Sequence, residues 1–231
     1  DSGADLLTFG MGEHQTAEIA RRLAAGEPFL RAEGTAAALH MAWKVSLNLC
    51  DHLSGIATKT RAIVDAAHSA NPACEVLTTR KSMPGVKDLL TKAVTCGGAF
   101  PHRLGASETV LVFDHHITFM GGFEAFLEAL PALRGRCVEK KLFVEAGPDE
   151  ARRLAEAGVD GIQLDKLPVD DLAAIVPELR AIDPHLTLIA AGGINLQNAA
   201  AYAACGVDGL ATTAPFTAKP IDMSVRMKRA E

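Results

Sequence analysis

From Glu75 onward, the chain alternates short runs of aliphatic residues with longer stretches in which apolar positions recur at helical spacing. Each aliphatic run ends in polar or glycine residues before the next helical stretch begins. This alternation predicts parallel strands joined by right-handed helical crossovers. Six strands are predicted in this way, at Glu75–Thr79, Val110–Phe113, Lys141–Val144, Gly161–Leu164, Leu186–Ala190 and Gly209–Ala211.

Helices are predicted between these strands. Pro84 is expected in the first turn of the first of them, and Gly97-Gly98 follow its end, which is the usual asymmetry of helix termini. A closed barrel has eight strands, so we expect a (β/α) barrel with one or two strands missing or unrecognised. An open doubly wound sheet is the alternative. The predicted helices are Pro84–Val94, Phe123–Leu133, Asp149–Ala157, Asp170–Ile182 and Gln197–Cys205.

A different pattern precedes the alternation. Thr35 is suited to be the N-cap of a helix that runs to about His52, and Ser54-Gly55 are expected to separate it from a second helix at Ile56–His68. The apolar faces of the first helix are expected to be buried. Polar residues at helical spacing form a stripe on its remaining face, which could meet a cavity, an interface or solvent. The stripe consists of His40, Lys44, Asn48 and Asp51.

Composition narrows the class of protein. The 231 residues are 48% hydrophobic and 22% charged, which is typical of a soluble globular enzyme. A net charge of −5 argues against a nucleic-acid partner, because such binding needs a basic surface. Five scattered cysteines without a C-x-x-C pair indicate free thiols in a reducing compartment. Since no apolar run is long enough for a membrane and no signal peptide opens the chain, we expect a cytoplasmic protein.

Charged residues collect where the predicted strands end, which is where parallel α/β folds bind ligands. Arg80 and Lys81 follow the first strand and could bind an anion or be solvated surface cations. Glu145 and Asp165 end the third and fourth strands. These carboxylates could hold Mg²⁺, bind sugar hydroxyls or stabilise a developing cation, and structural salt bridges are the alternative.

The loop after the fifth predicted strand is expected to bind phosphate. Gly192 and Gly193 let the backbone approach a ligand, and the helix expected after them presents its N-terminus to an anion. The loop at Thr213, after the sixth strand, is a compatible partner. Cations, carboxylates and a phosphate loop together fit a phosphorylated sugar whose C1 develops positive charge while an anionic group leaves.

Two histidine-containing segments are open to more than one interpretation. His102 and Arg103 add a titratable imidazole and a cation. Asp114, His115 and His116 invite a metal interpretation, but adjacent histidines on an extended segment point in opposite directions. Because no second His/Cys cluster completes a zinc set, we do not expect a transition-metal site.

Three strings resemble the quinolinate phosphoribosyltransferases, which are the type II phosphoribosyltransferases. They are T-R-K-S-M-P-G from Thr79, L-S-G-I-A-T from Leu53, and G-G followed by H-R-L-G between Gly97 and Gly105. The resemblance covers about Ala36 to Met227. The strings V-F-D-H-H, Q-L-D-K-L, A-A-G-G-I-N and A-P-F-T-A-K-P look closer to the ModD branch, pyrophosphorylases associated with molybdenum-transport operons.

This resemblance implies an α/β fold, with an incomplete (β/α) barrel of the type II phosphoribosyltransferase kind and a reduced N-terminal α/β layer. The barrel is expected at 53–216, and the layer, with a long interface helix, at 1–52 plus 217–231. Continuity with the family is lost around 21–23, so part of the layer is absent from the sequence or the domain is reduced. The family also implies a homodimer with shared active sites.

The resemblance implies an activity as well: Mg²⁺-dependent transfer of a phosphoribosyl group from phosphoribosyl pyrophosphate to a ring nitrogen of a heterocyclic carboxylate, with release of pyrophosphate. The quinolinate enzymes use this reaction in NAD biosynthesis. By position, Lys81, Glu145 and Asp165 are the expected catalytic residues, and the two carboxylates are the expected Mg²⁺ ligands. The expected substrate-binding residues are Lys44, Arg80, Lys81, His102, Arg103, Asp114, His116, Gly192, Gly193 and Thr213.

Departures from the family's strings put the acceptor in doubt. Lys44 stands where the family has an arginine that reaches into the neighbouring subunit's site, and Phe113 replaces a site lysine. Ile189 and Ala191 stand where it has Glu and Ser. One cation fewer and more apolar surface argue against quinolinate, a dianion, as the natural acceptor.

Two other functions are open at this point. The first is a non-catalytic barrel that binds an oxyanion or nucleotide for molybdenum handling. The second is another phosphate-handling barrel enzyme, such as an isomerase or aldolase, although no lysine lies at an apolar strand centre for Schiff-base chemistry.

Overall fold

The computed structural model describes residues 27–105 and 108–229, and its centre is one sheet of seven parallel strands. Their order in the sheet is β2-β1-β7-β6-β5-β4-β3. No hydrogen-bonded ladder joins β2 to β3 in this part of the chain, so the barrel is incomplete, as predicted. The strands are β1 (Glu75–Thr78), β2 (Phe100–Pro101), β3 (Val110–Val112), β4 (Leu142–Ala146), β5 (Gly161–Asp165), β6 (Thr187–Ala191) and β7 (Gly209–Thr212).

Helices alternate with these strands along the chain. All six predicted strands and the five predicted helices between them occur, and their ends shift by no more than three residues. Pro84 lies before the first of these helices rather than in its first turn, because the turn at Gly85 (φ +84°) intervenes. The helices are α1 (Ala36–Ala70), α2 (Lys87–Cys96), α3 (Asp114–Phe119), α4 (Phe123–Arg136), α5 (Pro148–Glu156), α6 (Val169–Ile182) and α7 (Ala199–Ala204), and a 3₁₀ turn at Ala214–Thr217 follows β7.

Two short elements were not predicted. Strand β2 has only two residues and contains Pro101, which cannot donate to a ladder and is tolerated because β2 lies at the edge of the sheet. Helix α3 begins at Asp114, directly after β3, where the sequence pattern continues the strand to Phe113. Both elements are too short for hydrophobic periodicity to reveal them.

The predicted break at Ser54-Gly55 is wrong, because α1 continues through it as one helix of 35 residues. A Cβ at Gly55 would lie 2.2 Å from the carbonyl oxygen of Lys219. Glycine is therefore needed here for the close approach of the C-terminal segment, and its cost of about 1 kcal/mol in a helix interior is offset by that packing. The N-cap prediction is confirmed, since the Thr35 hydroxyl accepts from the Ala38 N–H at 3.2 Å.

The two halves of α1 differ in burial. The second half packs against α2, α7 and the strand β1, and it buries Ile56, Ile63 and Val64. The first half is exposed on its apolar faces, with Met41 at 80% and Val45 at 62%. The expectation that these faces are buried is therefore wrong within residues 27–105 and 108–229, where no element covers them.

The polar stripe of α1 does not have a single environment. His40, Lys44 and Asn48 lie on the exposed half. Asp51 instead binds the returning C-terminal segment: its carbonyl oxygen accepts from Ile221 N–H at 2.9 Å and its carboxylate from Met223 N–H at 3.2 Å. Residues 1–26 of the predicted N-terminal layer, including the loss of continuity around 21–23, lie outside the described residues.

Successive strand residues point to two separate apolar cores. The larger core lies between the sheet and the helices. A smaller cluster fills the barrel interior, where Gly161 lies opposite Phe143 and a Cβ on Gly161 would lie 2.2 Å from the Phe143 ring. Glycine thus makes room for the aromatic ring that fills the barrel below the carboxyl ends of the strands. The interior cluster consists of Leu111, Phe143, Ile189, Ala191 and Ala211, with Leu77 and Phe113 packed against it.

Among residues 27–105 and 108–229, no helix combines the length and the apolar character that crossing a membrane would require.

Candidate active site

The predicted site residues that follow the strands meet at one end of the barrel, because all seven strands are parallel. Most of the residues at this end of the barrel form two groups, which we call the carboxylate side and the basic side. The carboxylate side comprises Glu145, Gln163, Asp165, Lys166, Gly192 and Gly193. The basic side comprises Arg80, His102, Arg103, Phe113, His115 and His116.

Glu145 and Gln163 are paired in register on β4 and β5 and point into the barrel. The Gln163 amide donates to a Glu145 carboxylate oxygen at 2.5 Å, and Gln163 is only 7% exposed. Burial raises the pKa of Glu145, the Gln163 hydrogen bond lowers it, and the charge of Asp165 raises it again. The Asp165 carboxylate is therefore close enough to oppose ionisation of Glu145.

Lys166 is held next to these acids in an unusual conformation. It is the one non-glycine residue with a positive φ (56°) in the described part of the chain. Its backbone N–H donates to the Ala191 carbonyl at 2.7 Å, and its Nζ lies 3.4 Å from an Asp165 carboxylate oxygen. The charge of Lys166 also lowers the pKa of Glu145. Its ammonium group therefore partly neutralises the acid pair.

Gly192 packs directly against the end of β5. A Cβ on Gly192 would lie 2.4 Å from Lys166 Cγ, 2.7 Å from Lys166 N and 2.9 Å from an Asp165 carboxylate oxygen. Gly192 also has a φ of +88°. Any side chain here would clash. Glycine therefore allows the loop after β6 to pack directly against Asp165 and Lys166.

Gly193 faces open space, since no atom lies within 4 Å of a Cβ built on it, and its φ is +73°. Its carbonyl accepts from the side-chain amides of Asn195 at 3.0 Å and Asn198 at 3.2 Å. The helix expected directly after the glycines begins only at Ala199, because an asparagine-stabilised turn comes first. The prediction that a helix N-terminus opens at this loop is therefore wrong.

The loop after β7 lies beside the loop after β1. The hydroxyl groups of Thr79 and Thr213 are 2.9 Å apart, and the Thr79 N–H donates to the Thr212 carbonyl at 3.1 Å. Thr79 Oγ1 also accepts from Lys81 N–H at 3.3 Å. The Lys81 side chain lies near enough to Glu145 for its charge to lower the pKa of that carboxyl. Lys81 therefore stands between the basic side and the carboxylate side.

The basic side contains two neighbouring guanidinium groups. Burial and then the charge of Arg80 lower the pKa of Arg103. Burial and then the charge of Arg103 lower the pKa of His102, which favours its uncharged form. No carboxylate of the described residues lies within 4.0 Å of the charged groups of Arg80, Lys81 or Arg103. Two adjacent cations without a counter-ion form a site prepared for an anion.

Phe113 forms an aromatic wall on this side. The Arg103 guanidinium lies 5.6 Å from the Phe113 ring centroid. The His115 ring stacks on Phe113 at 5.5 Å with an angle of 10° between planes. His116 Nδ1 accepts from the Phe113 backbone N–H at 3.0 Å, and burial, His115 and Arg103 lower the pKa of His116. The Phe113 ring thus contacts Arg103 and His115, and the Phe113 backbone is hydrogen-bonded to His116.

The argument that the two histidines point in opposite directions is wrong, because His115 and His116 lie in α3 and their rings are 4.0 Å apart. Asp114 is exposed in the first turn of that helix. No group of three or more His, Cys, Asp or Glu residues in the described ranges could hold a metal ion. The two carboxylates Glu145 and Asp165 still suit Mg²⁺, which needs only one or two carboxylates when substrate phosphates and water complete its octahedron.

Lys44 is not brought to these residues. It lies on the exposed half of α1, and its Nζ is 5.3 Å from the Trp43 ring centroid. A role for Lys44 in the site of a neighbouring subunit stays a prediction.

On the carboxylate side, sequence reasoning missed Gln163 and considered Lys166 only as a structural salt-bridge partner. Gln163 could have been identified from the two-residue period of a strand, because it lies on the same face of β5 as Asp165. The left-handed conformation of Lys166 leaves no comparable signal, because lysine is not a residue that favours it.

A parallel half-barrel with cations, paired acids and a glycine loop at its strand ends defines the class of barrel enzymes that bind phosphorylated substrates. The family model described as quinolinate phosphoribosyl transferase, C-terminal domain, matches residues 56–226. The chain therefore belongs to the quinolinate phosphoribosyl transferase family, which confirms the resemblance of its sequence strings.

Named relatives agree with this assignment. The chain is 44% identical over 181 residues to the Rhodobacter capsulatus protein named "Putative pyrophosphorylase ModD", an alignment that covers 78% of this chain and 69% of that one. It is 38% identical over 199 residues to the nicotinate-nucleotide pyrophosphorylase [carboxylating] of Mycobacterium leprae, with 85% and 68% covered.

Solved structures show the same fold. The nicotinate-nucleotide pyrophosphorylase of Francisella tularensis matches with a TM-score of 0.73 at 29% identity, over 82% of this chain and 65% of that chain. NadC from Streptococcus pyogenes matches with a TM-score of 0.73 at 27% identity, over 84% and 66%. The predicted incomplete barrel of the type II phosphoribosyltransferase kind is confirmed.

Proposed function

We propose that this chain transfers a phosphoribosyl group from phosphoribosyl pyrophosphate to a ring nitrogen of a heterocyclic carboxylate and releases pyrophosphate. The observation that carries the proposal is the juxtaposition of the Glu145–Asp165 acid pair with Lys81, which follows Arg80 after β1, at one end of the barrel. Family membership supports a reaction of this class.

In this reaction the lone pair of the acceptor nitrogen forms the bond to C1 of the ribose. The bond between C1 and the pyrophosphate oxygen breaks, and pyrophosphate leaves with the electron pair. C1 carries positive charge in between, and carboxylates held in a partly buried site stabilise such charge more strongly than water does. Glu145 and Asp165 are the groups suited to this task, and Gln163 keeps Glu145 oriented and favours its ionised form.

Mg²⁺ is proposed as the cofactor, with Glu145 and Asp165 as the residues that would hold it. The charge of Asp165 opposes ionisation of Glu145, and a divalent cation beside the two carboxylates would relieve that opposition. When bound, the ion would neutralise charge on the phosphate groups of the donor. Lys81 would add a mobile positive charge next to the leaving pyrophosphate.

The loops at Gly192-Gly193 and Thr213 are proposed to bind the 5′-phosphate. The glycine backbone leaves space above Gly193, and the Thr213 hydroxyl is already positioned by Thr79. This arrangement would place the 5′-phosphate beside Glu145 and Asp165, which would face C1. The 5′-phosphate and C1 belong to the same ribose, so their binding sites have to be neighbours.

A homodimer is proposed from the exposed half of α1. The exposed side chains of Met41 and Val45 form an apolar surface on this half of the helix, which also carries Lys44. A cytoplasmic location is proposed as well, because the cysteines are all free thiols, which a reducing compartment preserves.

Calorimetry with phosphoribosyl pyrophosphate and Mg²⁺ tests the proposed function. We expect binding by the native chain and clear weakening in Lys81→Ala and Asp165→Ala. Lys140→Ala is the matched control, because Lys140 is exposed before β4, at the opposite end of the barrel. No binding, or binding that both site variants leave unchanged, would reject the proposal.

The apolar side chains of Phe113 and Ile189 at this end of the barrel favour a second candidate, a non-catalytic barrel that binds an oxyanion or nucleotide for molybdenum handling. Molybdate binding without any pyrophosphate release from phosphoribosyl pyrophosphate would support this second function instead.

A further inference from the structure

Only some residues of the basic side carry a permanent positive charge. His102 and His116 both have lowered pKa values, and each imidazole is therefore held toward its uncharged form. Lys81 is directed to the carboxylate side, where it affects Glu145. The fixed positive charge available to an acceptor is therefore the neighbouring pair Arg80 and Arg103.

Next to this pair, the site is apolar. Phe113 packs against the interior cluster that contains Leu111 and Ile189. Its ring also carries the Arg103 guanidinium on one face, at 5.6 Å from the centroid. A carboxylate placed against the Phe113 ring would lose water and gain no hydrogen-bond donor from that side chain, which is unfavourable.

The basic side thus combines one anion-binding position with one aromatic wall. A single carboxylate has two oxygens, which can be shared between two guanidinium groups. The flat heterocycle that bears this carboxylate can place its own edge or face against Phe113. A second carboxylate on the adjacent ring carbon has no comparable partner.

We propose that Phe113 determines acceptor specificity and selects a planar nitrogen heterocycle with a single carboxylate. The carboxylate binds Arg80 and Arg103, and the unsubstituted edge of the ring lies against Phe113. This inference rests on the proposed phosphoribosyl transfer and names the acceptor class for it. The ring nitrogen supplies the electron pair for the bond to C1, pyrophosphate leaves with the pair from the broken bond, and no carboxylate is lost from the acceptor.

The test compares two probes, pyridine-3-carboxylate and pyridine-2,3-dicarboxylate, by calorimetry on the full chain with and without phosphoribosyl pyrophosphate and Mg²⁺. We expect the native chain to bind the monocarboxylate at least about tenfold more tightly than the dicarboxylate. In Phe113→Lys the added ammonium gives the second carboxylate a partner, so the preference should reverse. Phe113→Leu is the matched control, because it keeps an apolar wall and should keep the monocarboxylate preference.

Several outcomes would overturn the inference. They are equal or tighter binding of the dicarboxylate by the native chain, binding of neither acid, or an affinity ratio that Phe113→Lys leaves within about twofold of the native ratio. If Phe113→Lys does not fold, the ratio measured on the native chain decides alone. Donor binding is read separately: a chain that binds phosphoribosyl pyrophosphate but prefers the dicarboxylate retains the proposed function and loses only the inference about Phe113.

Discussion

The carboxylate side and the basic side of the site are built in different ways. On the carboxylate side, Gln163, Lys166 and Gly192 fix the acids through a buried hydrogen bond, a left-handed backbone and a contact that excludes any Cβ. On the basic side, Arg103 follows β2 and Phe113 follows β3, and they are held by a cation–π contact with each other and by the stacking of His115 on Phe113. The first construction depends on close backbone packing and tolerates little change, whereas the second depends mainly on contacts between side chains. The carboxylate side, which we propose to bind the phosphoribosyl group, is thus constrained more tightly by the backbone than the basic side, which we propose to bind the acceptor.

The largest expected effect comes from removing one carboxylate. Asp165→Asn should reduce pyrophosphate release by roughly 10²- to 10³-fold, because it removes charge that stabilises the developing cation. Asp171→Asn is the control, since Asp171 is exposed on α6. Steady-state assays of pyrophosphate release measure both variants. Equal activity in the two variants would mean that the carboxylate side does not carry the chemistry.

Replacing each of the two loop glycines with alanine should lower the stability of the protein by different amounts. Gly192→Ala introduces a Cβ within 3 Å of Lys166 and Asp165, so it should cost at least about 2 kcal/mol of unfolding free energy. Gly193→Ala meets no atom and should cost about 1 kcal/mol, from its positive φ alone. Denaturant titrations measure both values. Similar losses in the two variants would contradict the close packing assigned to Gly192.

Gln163 should control the pH dependence of the reaction. Its hydrogen bond lowers the pKa of Glu145, so Gln163→Met should raise that pKa further. Because the proposed reaction needs ionised Glu145, the acidic limb of the pH–rate profile should move to higher pH. Arg152→Met, on the outer helix α5, serves as the control. A limb that stays in place, or moves to lower pH, would remove Gln163 from this role.

The smallest effect is expected at Lys166. Lys166→Asn should stabilise the fold by up to about 1 kcal/mol, because asparagine tolerates a positive φ better than lysine does. Thermal unfolding of Lys166→Asn and of the exposed control Lys140→Asn would measure the difference. Destabilisation confined to Lys166→Asn would show that the ion pair with Asp165 outweighs the backbone strain.

The sequence predicts the regular part of this fold well and its contacts poorly. The strand-to-helix alternation locates Glu145 and Asp165 at strand ends because a parallel sheet brings such ends together. It does not show that Gly55 accommodates the backbone of Lys219, because that contact joins residues far apart in the chain. A glycine needed for close approach and a glycine that ends a helix look alike in sequence. The break predicted in α1 arose from that ambiguity.

The acceptor side shows the same limit at the site itself. Phe113 is visible as the last apolar residue of a predicted strand, but its pairing with His115 depends on α3, which is too short to predict from periodicity. The identity of each side chain is known from the sequence, whereas the orientation of these rings depends on the three-dimensional fold.

The most direct test of the central claim is a crystal structure of the chain soaked with phosphoribosyl pyrophosphate and Mg²⁺. We expect the 5′-phosphate at the loops of Gly192-Gly193 and Thr213, with C1 of the ribose facing Glu145 and Asp165. The guanidinium groups of Arg80 and Arg103 should remain free for the acceptor. A 5′-phosphate bound instead between Arg80 and Arg103, with the glycine loop empty, would contradict the account.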